Sequence, residues 1–189
     1  IKELNRETKE TKIFCKISKK NDLETKIETG IGFFDHMLET LSKHSGINIE
    51  LKCFGDLNVD GHHTVEDCGI VIGILLNQLI FPIKEVERFG EATIVMDEAS
   101  TTTNIDLSNR IYLHYDVNVF GNINDFEVEL VEEFFNAIVN NFKINCHIIN
   151  NYGRNKHHII ESVFKSFAIS LRRAMKFNID NNIPSTKGI

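Results

Sequence analysis

The chain has no tryptophan, two prolines, four cysteines and no basic excess. Each shortage excludes something. Cys15, Cys53, Cys68 and Cys146 lie far apart without a C-x-x-C pair, which argues against a zinc knuckle or a thioredoxin-like motif. At 189 residues the chain can bury a sizeable core without covalent staples, so free buried thiols in a reducing cytoplasm are expected. Lys plus Arg number 21 against 27 Asp plus Glu, a formal net charge of −6. Nucleic-acid and membrane surfaces demand a basic face, so neither partner is expected. The longest apolar run, residues 70–76, contains Gly73 and is too short to span a bilayer. No charged-then-apolar leader opens the sequence, and a cytoplasmic location is expected.

Histidine, by contrast, is plentiful, with eight residues. It is the commonest metal ligand and the usual proton carrier near neutral pH. Five of the eight are His36, His62–His63 and His157–His158.

Hydrophobic periodicity gives the elements around them. Residues 11–18 alternate apolar and polar and predict a strand, joined as a hairpin to a second at 25–29 through Asn21-Asp22. Phe34, Met37, Leu38 and Leu41 predict a helix over 33–44, stopped by Gly46. A strand at 47–54 and a long helix from His62 to about 79 follow. The second half repeats this order, with strands at 92–96 and 110–119, a helix at 128–142, a strand at 144–149 and a helix from 156 to about 177, N-capped by Asn155. The expected fold class is α+β: an internal duplication of a strand-strand-helix-strand-helix unit, about 1–90 and 91–189, giving two four-stranded sheets packed with helices in a single domain.

The repeat is also visible in letters. His62-His63-Thr-Val-Glu66 and His157-His158-Ile-Ile-Glu161 each open a long helix, 157 − 62 = 95 residues apart. On a helix, residues three and four apart share a face, so His62 or His63 can meet Glu66. Adjacent residues diverge by about 100°. The members of each His pair therefore turn to different partners, which suggests two metals drawing on several segments. His36 is a natural extra ligand, and its counterpart in the second half falls at about Glu133. The candidate ligands are His36, His62, His63, Glu66, Glu133, His157, His158 and Glu161. Imidazole plus carboxylate without thiolate suits Mn, Fe, Zn or Ni. His44, His114 and His147 lack repeat partners and read as structural.

Several segments, in order and over nearly the whole chain, resemble one family. They are Arg6-Glu-Thr-Lys-Glu10-Thr11, Gly30-Ile-Gly-Phe-Phe-Asp-His-Met-Leu38, Asp60-Gly-His-His-Thr-Val-Glu-Asp67, Met96-Asp-Glu-Ala99, Asp106-Leu-Ser-Asn-Arg110, Asn155-Lys-His-His-Ile-Ile-Glu161 with Phe164-Lys165, and Pro184-Ser-Thr-Lys-Gly188. The family is imidazoleglycerol-phosphate dehydratase. The resemblance implies a hydro-lyase of histidine biosynthesis that turns imidazoleglycerol phosphate into imidazole acetol phosphate and water. It implies two Mn2+ per active site and a homo-oligomeric, twenty-four-subunit cage with sites between subunits. One metal would take His62, Glu133, His157 and Glu161, and the other His36, His63, Glu66 and His158. Arg88, Arg110, Lys165, Ser185 and Lys187 would hold the phosphate, and Glu10 matches an acid/base carboxylate. Glu161 competes for that role, and Asp97 and Asp106 lie in matching acidic motifs. Thr40 stands where many members have Gln, Glu133 where several have His, and Asn109 where Gly is common.

The chemistry explains the need for metal. The departing proton has no adjacent carbonyl to acidify it. A metal-bound imidazolate could expel the neighbouring hydroxyl to a diazafulvene-like species, after which a base takes the proton. A metal-dependent phosphate-ester hydrolase and a non-enzymatic metal-binding protein are the rival classes. The first would release inorganic phosphate, and the second would bind metal without turnover.

Overall fold

The computed structural model describes residues 1–20 and 22–180. Two four-stranded sheets enclose the helices. The first half contributes β1 (Lys2–Glu7), β2 (Thr11–Ser18), β3 (Lys26–Glu28), α1 (Gly32–Ser45), β4 (Asn48–Gly55) and α2 (His62–Ile80). The second contributes β5 (Phe89–Met96), β6 (Ala99–Asp106), β7 (Tyr112–Asp116), a small β8–β9 ribbon (Asn122–Ile123 and Phe126–Glu127), α3 (Leu130–Phe142), β10 (Asn145–Tyr152) and α4 (Lys156–Ala174). The sheet orders are β1-β2-β4-β3 and β5-β6-β10-β7. In each, the first three strands run antiparallel and the last pairs parallel with its neighbour. The parallel pair is closed by the shorter helix, α1 or α3, as a crossover must be. The two α+β units therefore share one topology.

Two expectations need correction. Each unit carries one more strand than its apolar pattern shows: β1 and β6. Moreover, β3 makes no hairpin with β2. Both edges of β2 are already taken, by β1 and β4, so β3 pairs parallel on the far side of β4. Asn21, of the proposed turn, lies outside the described residues.

The central strands of each four-stranded sheet show one face to the helices. Ile13, Cys15 and Ile17 of β2 meet Ile49, Leu51 and Cys53 of β4, and all are buried. All four cysteines are free and buried. Burial pushes the Cys15 thiol up to about 12. In the second sheet the inward face is partly polar: Thr101 and Thr103 of β6 bond to Ser162 and Ser166 of α4 at 2.7 Å each. Fully satisfied hydroxyls of this kind can be buried without the penalty of orphaned groups.

The helices cross between the halves. α1 packs on α4, and α2 packs on α3. One apolar cluster spans both sheets and all four helices, with Phe34, Phe134, Phe135, Phe164 and Phe167 buried in it. α2 has the length and composition of a membrane span, but Val65, Val71, Ile72, Leu75 and Leu76 are buried in this core. It touches α3 through Gly69 and Gly73. A Cβ on Gly73 would lie 2.8 Å from the Ile138 carbonyl oxygen and 2.9 Å from Asn141 Cβ. We expect Gly73→Ala to lower the unfolding free energy by about 1–3 kcal/mol through overpacking against backbone. Denaturant unfolding with an unchanged midpoint would refute this.

Candidate active site

The crossing of α1 on α4 brings His36 of the first half to the H-H-x-x-E motif of the second. One ligand atom each from His36, His157 and Glu161 lies within 4.8 Å of the other two. Glu161 Oε2 is 3.0 Å from His157 Nε2 and 3.7 Å from His36 Nε2. Its other oxygen takes the Lys165 ammonium at 2.7 Å. Burial acts to raise the Glu161 pKa. The Lys165 hydrogen bond and charge, with His157 and His36, outweigh it and leave the carboxyl below its usual range. α4 begins where it does because the Asn155 side chain accepts from the His157 and His158 backbone N–H groups. This cap fixes the motif in the first turn.

The equivalent motif on α2 gives the i,i+4 pair His62–Glu66, Nε2 to Oε2 3.6 Å. Glu133, half-buried in the first turn of α3, occupies the place of His36: α1 and α3 end 142 − 45 = 97 residues apart, as do His36 and Glu133. Among the described residues it completes no three-group cluster with His62 and Glu66.

The second imidazole of each pair turns elsewhere, as the helical angle requires. His63 Nδ1 is 2.9 Å from Asp56, and its Nε2 is 3.6 Å from Glu10. His158 Nδ1 is 2.7 Å from Glu98, and its Nε2 is 3.6 Å from Asp97. Both rings are held above the ordinary imidazole pKa, first by these hydrogen bonds to Asp56 and Glu98. Glu98 also accepts from the Arg154 and Asn155 backbone N–H groups. Glu10 reaches His63 because its hairpin is tied to α2: buried Asp67 takes the Thr11 hydroxyl at 2.5 Å and the Arg6 guanidinium at 2.6 Å. The chain thus joins His36 to His157 and Glu161, whereas the family-implied sets assign His36 and His157 to different metals. Neither set of four assembles within one copy among the described residues.

The basic residues divide. Lys165 lies beside the imidazoles, paired with Glu161. Arg88 clasps Asp106 with two bonds, Nε to Oδ1 2.7 Å and Nη2 to Oδ2 3.2 Å, and Arg110 approaches the same carboxylate at 3.7 Å. Asp106, expected among the catalytic acids, here lies against two guanidinium groups. Its two oxygens are committed to them. This cluster sits at the other end of α4, where the Arg88 N–H donates to the Ala174 carbonyl. His157 to Ala174 is 17 residues, about 25 Å of helix. Ser185 and Lys187 lie outside the described residues. Among the described residues, His44, His114 and His147 stand outside the three-group cluster, although His114 and His147 face one another across β7 and β10, with ring centroids 5.6 Å apart. Sequence reasoning missed Glu98 as functional and read Asp56 only as one of several acids near turns. Glu98 adjoins Asp97 in Met96-Asp-Glu-Ala99, and makes the shorter contact.

The family description "Imidazoleglycerol-phosphate dehydratase" matches residues 29–171. The chain belongs to the imidazoleglycerol-phosphate dehydratase family. Relatives of that name are 60% identical in Aliarcobacter butzleri, covering 99% of this chain and 98% of that protein, and 54% identical in Sulfurovum sp. with the same coverage. The crystal structure of the Staphylococcus aureus enzyme shares 36% identity and a TM-score of 0.85, over 93% of this chain and 98% of that one. The structure of the Pyrococcus furiosus enzyme in complex with (S)-C348 shares 34% identity and the same TM-score, over 98% and 99%. The activity is accordingly that of a hydro-lyase, removing water from imidazoleglycerol phosphate in histidine biosynthesis.

Because Asp67 joins Glu10's hairpin to α2 through Thr11 and Arg6, we expect Asp67→Ala to cost roughly 2–4 kcal/mol, since both lose a buried partner. Turnover should fall at temperatures where the variant is still folded. Wild-type stability and turnover in this variant would show that the tie is dispensable.

Proposed function

We propose that the dehydration is metal-dependent and that the catalytic centre is shared between copies of the chain. The observation that carries the metal is the His36–His157–Glu161 cluster: two imidazoles and a carboxylate, without thiolate, at a spacing one divalent cation can bridge. The donor set fits Mn2+ as well as Fe, Zn or Ni. Two ions per site is the family-implied number and the one we adopt, with His36, His157 and Glu161 gathered on one of them, as they lie in this chain, and His62, His63, Glu66, His158 and Glu133 as the further donors. When bound, the metal supplies Lewis acidity toward the substrate imidazole, easing loss of the adjacent hydroxyl.

The chain's own groups do the rest. Glu10, half-exposed at its hairpin tip and facing His63, is placed to move the proton of the neighbouring carbon, and Asp97 faces His158 in the same way. Help of this kind is worth roughly 10²–10⁴-fold. Glu161, buried and engaged on both oxygens, is the better ligand than proton carrier. Arg88 and Arg110 suit a phosphate, with Asp106 setting their orientation. Lys165 can join them only by exchanging Glu161 for the phosphate. The separation along α4 supports sharing. About 25 Å between the His157 and Arg88 ends of the helix exceeds the span of a three-carbon phosphate ester, so the two clusters would serve one substrate only across a contact between copies. A homo-oligomeric cage, twenty-four copies in the family-implied form, would provide such contacts. A cytoplasmic location goes with the same reading.

Exhaustive chelation should abolish turnover, and adding back Mn2+, Fe2+, Zn2+ or Ni2+ separately should restore it to different degrees. Full turnover of metal-free enzyme would refute the metal. Arg110→Ala, at an exposed position, should raise KM about tenfold or more with a smaller fall in kcat and no loss of stability. Mixing inactive His157→Ala chains with high-KM Arg110→Ala chains, after dissociation and reassembly, should restore a fraction of sites with the wild-type KM if each site draws on two copies. Mixtures with no wild-type-KM component would place each site within one copy.

A further inference from the structure

Two of the four helix-opening imidazoles are gripped from behind. Asp56 sits at Nδ1 of His63, and Glu98 sits at Nδ1 of His158. An ionised carboxylate can only accept, so each Nδ1 must carry the proton. A neutral ring then presents a lone pair at Nε2. In both cases Nε2 points away from the gripping group, toward Glu10 or Asp97.

The two gripping groups do not descend from one ancestral position. Asp56 lies in the loop between β4 and α2, and Glu98 lies in the turn between β5 and β6. The corresponding loop between β10 and α4, Gly153-Arg154-Asn155, contains no carboxylate. Thr11 and Thr101 make the matching contacts to Asp67 and Ser162, which sets Ile13 over Thr103. Their strand partners are Arg6 and Ala92. The first hairpin then spans 13 − 6 = 7 residues and the second 103 − 92 = 11, and Glu98 falls in the four-residue extension. One duplicated unit therefore reaches the same Nδ1–carboxylate contact twice, from different loops. Inherited packing alone would have kept one solution in both halves.

We propose that Asp56 and Glu98 are positioning residues that hold His63 and His158 as Nδ1–H tautomers, keeping both Nε2 atoms available to a divalent cation. The proposal rests on the metal reading above. Orientation of ligating imidazoles by a carboxylate is a general device that also raises ligand basicity. Asp56 is the cleaner probe. Its Oδ2 bonds His63, and its buried Oδ1 has no hydrogen-bond partner among the described residues, so the side chain caps no backbone. Glu98 additionally anchors the loop before α4, so its replacement also loosens that loop.

The test uses the full-length protein with 15N-labelled histidine, stripped of metal. Magic-angle-spinning 15N spectra, recorded where the rings are neutral, report the tautomers, and calorimetric titration with Mn2+ reports affinity. The wild type should show Nδ1–H at His63 and His158. In Asp56→Asn the amide can donate to Nδ1, driving the proton to Nε2. The His63 signature should change while His158 keeps its own, and Mn2+ affinity should fall about 10–100-fold with an unchanged unfolding midpoint. Glu98→Gln should do the same at His158, with some loss of stability. Asp56→Glu, which restores the carboxylate, should recover part of the affinity. Wild-type protein that takes up no Mn2+ overturns the metal reading. Wild type that takes it up, with Asp56→Asn unchanged in both tautomer and affinity, overturns the positioning role alone.

Discussion

The packing of α1 on α4, and of α2 on α3, is the contact on which the rest of the molecule depends. Each half lends its short helix to the long helix of the other. Gly69 and Gly73 let α2 approach the α3 backbone closely, and the buried phenylalanines of α3 and α4 fill the space between the sheets. Without this exchange His36 would be an isolated imidazole on a short helix. With it, His36 stands beside His157 and Glu161, and a cation-sized set of donors appears between two segments about 120 residues apart in sequence. The cluster is thus a product of the duplication: neither half contains it alone.

A second constraint is the angle of the helix. Consecutive residues point about 100° apart, so the two imidazoles of each H-H pair serve different surroundings. His157 faces inward to α1, and His158 faces the β5–β6 turn. His62 and His63 divide in the same way between Glu66 and the Asp56–Glu10 pair. The hairpin tips therefore matter as much as the helices. They carry the carboxylates that face Nε2, and their placement is secured by buried ties such as Asp67 with Thr11 and Arg6. The guanidinium cluster around Asp106 lies at the opposite end of α4 and has its own internal support. One copy holds the imidazole and guanidinium clusters at two ends of a helix, which is the physical ground for proposing a centre shared between copies.

The α+β class, the duplication, all four helices and the H-H-x-x-E pairs were legible from periodicity and spacing. β1 was hidden because Lys2–Glu7 has a single apolar residue, Leu4, at a sheet edge. β6 was hidden because its middle inward residues are Thr101 and Thr103, between Ala99 and Ile105, and their burial depends on hydroxyl partners on α4 rather than on apolar surface. The pairing of β3 was misread because a turn signal indicates a reversal of the chain but not which neighbour has a free edge. In the site, the candidate ligand types could be named from spacing. The roles of Asp56 and Glu98 could not, since loop carboxylates near turns look alike in sequence whether they cap backbone, face solvent or grip an imidazole.

The sequence by itself determined which residues share a helix face, that the two members of each His pair must diverge, and that the chain is built twice from one unit. These follow from the fixed rise and rotation of the helix and from the two-residue period of strands, which are local properties. Only the tertiary structure decided that His36 joins His157 and Glu161, that Asp106 is committed to Arg88 and Arg110, and that two unrelated loops deliver carboxylates to His63 and His158. Those outcomes depend on how the halves dock, and docking is set by the shape and volume of the whole shared core rather than by any one segment.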